Sequence, residues 1–367
     1  VQLTRLALAN FRNYADLQLQ PAPGLNVFIG ANAQGKSNLL EAIAMLGTGK
    51  SFRTSKEGDT IRSGLDLATV SGDARVRAGS VRLSCAIAAT SRGTRKTYAI
   101  NGQNVRYAAF LGKARVVTFV PADLALVGGS PSVRRGLLNI ALAQTEPLYY
   151  RDLARYQKTL AQKNALLRGD EPDADLLTIY DRTLVECGTA LMQARKQFVD
   201  ALAVTAREVH ARWSLGTERL EITYQPNVNF DVPTADGIAA AFTRRLLDRT
   251  EAERVRETSL VGPHRDDLGL SLDGASLAAY GSQGQQRTAV LALKVAEYTV
   301  MRERSGEAPL LLLDDVLSEL DAARAAAFLA AIGGFEQAFI TATQLPAKLP
   351  PARIWHVRDA QLEEMAA

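Results

Sequence analysis

The stretch Gly30-Ala31-Asn32-Ala33-Gln34-Gly35-Lys36-Ser37 decides how this chain folds. It fits the G-x-x-x-x-G-K-S pattern of a phosphate-binding loop, and its neighbours supply the setting the pattern needs. Before it, Leu25-Asn26-Val27-Phe28-Ile29 is a compact apolar strand. After it, Leu39, Leu40, Ile43 and Leu46 recur at helical spacing until Gly47 and Gly49 stop the helix. Gly30 and Gly35 let backbone amides close around phosphate, with Ala31, Asn32, Ala33 and Gln34 between them. Lys36 neutralises β- and γ-oxygens, Ser37 offers a hydroxyl to Mg2+, and the helix start that carries Asn38 faces the anion. The expected ligands are ATP and Mg2+.

A second half of such a site lies far along the chain. Leu310-Leu311-Leu312-Leu313 is a fully apolar strand that delivers Asp314 and Asp315 at its C-terminal tip, where open α/β sheets bind ligands. Asp314 is the expected Mg2+ ligand through water, and Asp315 the carboxylate that polarises the attacking water. Residues 338–341 form another apolar strand, with a helix expected over 322–332 between the two.

Outward from the loop, residues 3–8 and 14–19 read as strands. From Val81 to Val120 the pattern alternates, with Asn101-Gly102 marking a tight hairpin, so an antiparallel β-layer is expected. Pro121 and Gly128-Gly129-Ser130-Pro131 punctuate a change of architecture. Beyond it, Tyr149, Leu153, Tyr156, Leu160, Lys163 and Leu167, then Leu177, Tyr180, Leu184, Cys187, Leu191, Ala194 and Phe198, mark the seams of two helices joined by a polar turn at 169–175. Residues 218–225 and 268–272 read as strands and 236–258 as an Arg-rich helix. The expected architecture is an α/β head assembled from 1–122 and 260–367, with a mixed sheet and an antiparallel layer. A helical lobe over 123–259 carries a short antiparallel helical hairpin.

Many chains carry such a loop and strand, so the discriminating stretch is Gly281-Ser282-Gln283-Gly284-Gln285-Gln286-Arg287, which opens a periodic helix. It resembles the signature motif of ABC-type ATPases, in which the serine and glycine of one head close on the γ-phosphate held by another. By that resemblance Ser282, Gln283, Gly284 and Gln285 face a partner's nucleotide, and two heads sandwich two ATP molecules. A plain helix cap explains a Ser-x-Gly-Gln string about as well when it stands alone. Ser318-Glu319-Leu320-Asp321 has the spacing of the D-loop, which places Asp321 at the same dimer interface. Thr341-Ala342-Thr343-Gln344 ends a strand where transporter-type heads carry a switch histidine, and no histidine is present.

Further segments resemble the RecF family of bacterial recombination mediators, relatives of SMC heads. They are Asn10-Phe11-Arg12-Asn13-Tyr14, Ser51-Phe52-Arg53, Pro121-Ala122-Asp123 through Arg134-Arg135, and Gly262-Pro263-His264-Arg265-Asp266-Asp267. The resemblance runs along essentially the whole chain; Asn139 departs from it, standing where the family often has aspartate. It implies an ATP-dependent homodimer on double-stranded and gapped DNA, with weak DNA-stimulated ATP hydrolysis. It also implies cooperation with RecR and RecO in loading RecA. It suggests Arg12 as a nucleotide contact. Most ABC heads use glutamate where Asp315 stands; an acid one methylene shorter implies turnover on the order of 1 s−1 or less.

Composition bounds the alternatives. Residues 1–115 hold 16 Lys/Arg against 6 Asp/Glu, while the whole chain has a net charge of only +4. This basic N-terminal portion suits phosphate-backbone contact, with Arg53, Arg62, Arg92, Arg95 and Lys96 as candidates; a solvated basic face is the plain alternative. Two separated cysteines, Cys85 and Cys187, and three scattered histidines, His210, His264 and His356, give no disulfide framework, zinc site or nuclease cluster. No apolar run approaches the ~20 residues that span a bilayer, and the N-terminus lacks a secretory pattern, so a cytoplasmic location is expected. An SMC-type tethering ATPase is the alternative function, and the brevity of the helical arm counts against it.

Overall fold

The phosphate loop follows an interior strand of a sheet whose strands come from both ends of the chain. The computed structural model describes residues 1–214, 216–316, 325, 328, 334–345 and 349–365. The Ser318–Asp321 motif and the helix expected over 322–332 fall outside the described residues, apart from 325 and 328. Two compact units emerge, Val1–Asp123 with Glu297–Ala367, and Leu124–Ala296.

The first unit opens with β1 (Gln2–Phe11), β2 (Tyr14–Leu19), β3 (Gly24–Ile29) and helix α1 (Lys36–Thr48). It continues through β4 (Leu67–Val76), β5 (Gly79–Thr90), β6 (Gly93–Ile100), β7 (Gln103–Val105), α2 (Tyr107–Phe110) and β8 (Val116–Phe119). One sheet, ordered β2-β1-β4-β5-β6-β7, is antiparallel throughout. Its inward residues alternate with outward ones, so Leu6, Leu8, Val70, Leu83, Cys85 and Ile87 are buried. At Asn101-Gly102 both residues have positive φ, 52° and 81°, as the tight hairpin requires. Leu39, Leu40, Ile43 and Leu46 of α1 are buried along with nearly every neighbour, so the helix is enclosed rather than amphipathic.

The second unit holds α3 (Ala125–Gly128), α4 (Pro131–Thr145), α5 (Pro147–Leu167), α6 (Ala174–Trp213), β9 (Leu220–Gln225) and α7 (Ala235–Arg256). It ends with β10 (Asp267–Leu272), β11 (Ala275–Ser276), α8 (Leu277–Tyr280) and most of α9 (Gln283–Ser305). The expected helical hairpin is α5 and α6. Asp173 caps α6 by accepting from the amides of Asp175 and Leu176, and Tyr149, Tyr156, Leu184, Cys187, Leu191 and Phe198 fill the seams. The sequence reading assigned 260–296 to the head. The unit boundary instead falls inside α9, because β10 pairs antiparallel with β9 from Asp267↔Gln225 to Leu272↔Leu220.

The chain then returns to the first unit with β12 (Leu310–Asp314), β13 (Gln337–Ala342), β14 (Ala352–Arg358) and β15 (Gln361–Glu364). The second sheet is ordered β15-β14-β3-β13-β12-β8, parallel except for β15. β12 and β13 are buried along their whole length, because both faces of the sheet are covered there. Among the described residues no helix is long and apolar enough to cross a membrane.

Candidate functional site

The phosphate loop leaves β3 at Gly30 and enters α1 at Lys36. Gly30 has φ +154°, and a Cβ there would lie 2.3 Å from the carbonyl oxygen of Val357, so only glycine passes under β14. Gly35 has φ +115°, with Asn13 Nδ2 2.7 Å and the Tyr14 hydroxyl 2.8 Å from the place of a Cβ. The loop is buttressed from two sides. Asn13 Nδ2 donates to Gln34 O (3.1 Å), Tyr14 donates to Gly35 O (3.2 Å), and Asn38 Nδ2 donates to Asn13 Oδ1 (2.7 Å). From the β14–β15 turn, the amide of Asp359 donates to Gln34 Oε1 (2.7 Å) and that of Ala360 to Gln34 O (3.2 Å). Asp359 and Ala360 themselves hold positive φ values of 48° and 59°.

No side chain caps the start of α1. Its first amides therefore point at the loop as an anion cradle, with the positive end of the helix behind them. Lys36 Nζ donates to Gly30 O (2.6 Å) and Ala31 O (2.8 Å), folded against the loop it is expected to serve. Burial holds its pKa below the usual lysine range, and the carboxylates of Asp315 and Asp314 oppose that shift. Ala31, Asn32 and Ala33 are exposed on the outside of the loop.

Across the carboxyl end of the parallel strands, Ser37 Oγ donates to Asp314 Oδ1 at 2.7 Å. A hydroxyl and a carboxylate brought together from 277 residues apart are hard oxygen donors that fit Mg2+. Thr341 completes the arrangement. Its hydroxyl donates to Asp314 Oδ1 (2.8 Å) and accepts from the amide of Asp315 (2.9 Å), while Asp315 holds φ 52° at the strand tip. Thr341 stands in the sequence only as the end of a strand, and here it holds the carboxylate of Asp314 and the backbone of Asp315.

Arg12 is paired with a carboxylate of α1. Its Nε and Nη2 donate to Oε2 and Oε1 of Glu41 (2.8 and 2.6 Å), and its Nη1 donates to Asp59 O (2.7 Å). Glu41 is fully buried on α1, and Ser51 also donates to it. Sequence reasoning passed over Glu41, although a lone carboxylate inside the apolar run of α1 was a signal for a buried ion pair. Arg53 is 44% exposed, donates to Asn38 Oδ1 (2.6 Å) and lies 3.7 Å from Glu41. Arg62 donates to Asn13 O. Lys96 pairs with Glu57 and donates to Gly49 O (2.7 Å), which ties the β5–β6 hairpin to the segment bearing Arg53 and Arg62. Arg92 and Arg95 are exposed on that hairpin. These five basic residues thus sit on two adjoining segments, with the charge of Lys96 already matched.

Ser282 and Gln283 are exposed at the start of α9, with Gly284 and Gln285 half-buried. Ser282 Oγ accepts from Gln285 N (3.3 Å) and Gln285 Oε1 accepts from Ser282 N (2.8 Å), a reciprocal capping box. The hydroxyl hydrogen of Ser282 remains to be given outward, so the cap and a phosphate contact are compatible. Asp321 lies outside the described residues.

In the Gly262–Asp267 segment Gly262, Pro263 and Asp266 are buried, His264 and Asp267 are half-buried, and Arg265 is exposed. Arg195, 2% exposed, donates to Asp266 Oδ2 (2.7 Å), Pro263 O (2.6 Å), Tyr149 (3.1 Å) and Asn139 Oδ1 (2.9 Å). Asn139 therefore serves as a neutral acceptor for a buried guanidinium whose charge Asp266 already matches. His264 Nε2 lies 3.3 Å from Ser259 O, which can only accept, so Nδ1 accepts from the Tyr156 hydroxyl at 2.7 Å. Burial pushes the pKa of His264 down to about 4. Arg134 joins α4 to β10 through a two-pronged pair with Asp267 at 2.6 and 2.9 Å.

A family model described as the RecF/RecN/SMC N terminal domain matches residues 2–347. Among curated relatives, the DNA replication and repair protein RecF of Lactococcus lactis subsp. cremoris (strain MG1363) is 39% identical, covering 99% of each chain. That of Symbiobacterium thermophilum is 42% identical over 94% of this chain and 92% of its own. The solved structure of the recombination mediator protein RecF-ATP in the RecFOR pathway superposes with a TM-score of 0.91 at 33% identity, covering 100% of this chain and 98% of its own. An Smc head bound to the C-winged helix domain of ScpA shares the fold at a TM-score of 0.57 and 16% identity, covering 100% of this chain and 97% of its own. The segments that flank the phosphate loop, the 262–267 turn and the two-unit plan thus go together, and the chain belongs to the RecF family.

Proposed function

We propose that this chain is an ATP-dependent DNA-binding protein of recombinational repair, whose two copies close head to head on two ATP molecules. The observation that carries the reading is the 2.7 Å contact from Ser37 to Asp314, made at the mouth of a buttressed phosphate loop. Loop amides and Lys36 bind and orient the phosphates, with residues Gly30 to Asn38 forming the cradle. Mg2+ held by Ser37 and Asp314 would supply charge neutralisation on the β- and γ-phosphates. Asp315 polarises the attacking water, and the short acid makes hydrolysis slow, so ATP times how long the dimer stays closed. Ser282 to Gln285 and Asp321 meet the partner's nucleotide. Arg12, paired with Glu41 on α1, contacts nucleotide. Arg53, Arg62, Arg92 and Arg95 contact DNA phosphates, with Lys96 a lesser contributor.

In keeping with a relative named as a recombination mediator of the RecFOR pathway, we propose that the closed dimer binds gapped DNA and, with RecO and RecR, promotes RecA loading. It acts in the cytoplasm, and DNA stimulates its weak ATPase. A tethering role of the SMC kind is disfavoured, because the 21 residues of α5 span only about 30 Å. The test is analytical ultracentrifugation with ATP and Mg2+. Wild type should dimerise, and Ser282→Arg should remain monomeric up to at least about 100-fold higher concentration, because a long side chain replaces a small hydroxyl where the two heads must approach closely. Full dimer in that variant sinks the sandwich. Binding to duplex, single-stranded and gapped DNA should weaken steeply with salt, losing about 0.9 in log K per tenfold salt for each phosphate contact.

A further inference from the structure

The side chain of Gln285 is committed at both ends within its own unit. Its Oε1 closes the cap on Ser282, and its Nε2 donates to Oε1 of Glu218 at 2.8 Å. Glu218 belongs to the short connection between α6, ending at Trp213, and β9, starting at Leu220. That connection is fastened to the end of α6, since Ser214 N donates to His210 O (2.8 Å) and Thr217 Oγ1 donates to Ser214 O (2.6 Å). The second oxygen of Glu218 lies 3.7 Å from Nε2 of His210, a fully buried residue in the last turn of α6. A line of direct contacts therefore runs from the 40-residue arm helix through Glu218 and Gln285 to Ser282.

We infer that Glu218 is a positioning residue for the ATP-dependent dimer, holding Gln285 so that the Ser282 turn keeps the shape a partner's nucleotide meets. The inference rests on the sandwich reading above. A hydrogen bond to a carboxylate is among the stronger kinds, and without it an exposed helix start frays between capped and uncapped forms. If the turn is competent about one-tenth of the time, affinity per signature falls about 10-fold. A two-fold dimer contains two signatures, so its dissociation constant rises about 100-fold. The same line makes the turn sensitive to whatever displaces the end of α6.

The experiment compares wild type, Glu218→Ala, Glu218→Gln and Ser282→Arg for ATP-dependent dimerisation by ultracentrifugation. Affinity of the monomer for a fluorescent ATP analogue and the thermal midpoint are measured alongside. Glu218→Ala should weaken the dimer about 100-fold, with monomer nucleotide affinity within about 2-fold of wild type. Glu218→Gln keeps an acceptor oxygen for Gln285 and should recover all but about 3-fold of the loss. Wild-type dimerisation by Glu218→Ala, or equal losses in both Glu218 variants, overturns the inference. Dimerisation by Ser282→Arg instead sinks the sandwich reading itself, so the two failures are told apart.

Discussion

Two helices in this protein begin with a glycine-containing turn suited to phosphate, and they finish their ends in opposite ways. At α1 no side chain caps the first turn, and the loop is braced from outside by Asn13, Tyr14 and the Asp359–Ala360 turn. At α9 the first turn is closed by its own residues, Ser282 and Gln285. An uncapped helix start held rigid from behind leaves its amides for a ligand that becomes the cap. A self-capped start keeps its shape without ligand and can offer only what the cap leaves over, here the Ser282 hydroxyl hydrogen. The first suits a site that grips nucleotide in a single chain, and the second a surface that meets nucleotide already bound elsewhere.

Substitutions should separate the two starts. The largest difference is expected from the charge-keeping change Lys36→Arg. Hydrolysis measured by phosphate release should fall about 100-fold or more, while nucleotide affinity changes less than about 10-fold, because the planar guanidinium cannot follow a point charge into the loop. Equal losses in both quantities would mean that Lys36 only binds. Gly30→Ala should cost about 3 kcal/mol in chemical denaturation, since its Cβ meets Val357 O at 2.3 Å and φ is +154°. A loss confined to nucleotide binding, with stability intact, would show that β14 yields instead.

A smaller effect distinguishes the units by pH. His264 in the second unit is held at about 4 against an ordinary 6.5, so between those values the unfolded chain takes up a proton that the folded chain refuses. Its contribution is complete above about pH 6.5 and is lost as pH falls to about 4, at most about 3 kcal/mol. Hydrogen exchange across that window should report loosening around Tyr156 and Ser259, and His264→Gln should flatten the dependence. Unchanged protection in wild type between pH 6.5 and 4.5 would refute the assignment.

The phosphate loop, the acidic strand tip, the hairpin at Asn101-Gly102 and the α5–α6 pair were legible because each is written in local periodicity and turn chemistry. The flanking resemblances gave the family. What escaped was set by tertiary pairing. Nothing near Arg12 announces Glu41 as its partner, and nothing near Gln285 points to Glu218; both contacts exist because distant segments pack there. The same reason moved 260–296 out of the head, since β10 looks like any alternating strand until β9 is known to lie beside it. Thr341 was visible as a strand residue, but its bond to Asp314 depends on the parallel register of β12 and β13.

The central strand of the parallel sheet has an implication for biosynthesis. β3, which carries the phosphate loop, pairs with β13 on one side and β14 on the other, and both come from residues 337–358. During translation the loop leaves the ribosome before the whole of 124–296, and its neighbours are made after that segment. The second unit can therefore fold on the nascent chain while the nucleotide cradle waits unassembled, and a chain released early would carry the loop without the strands that shape it.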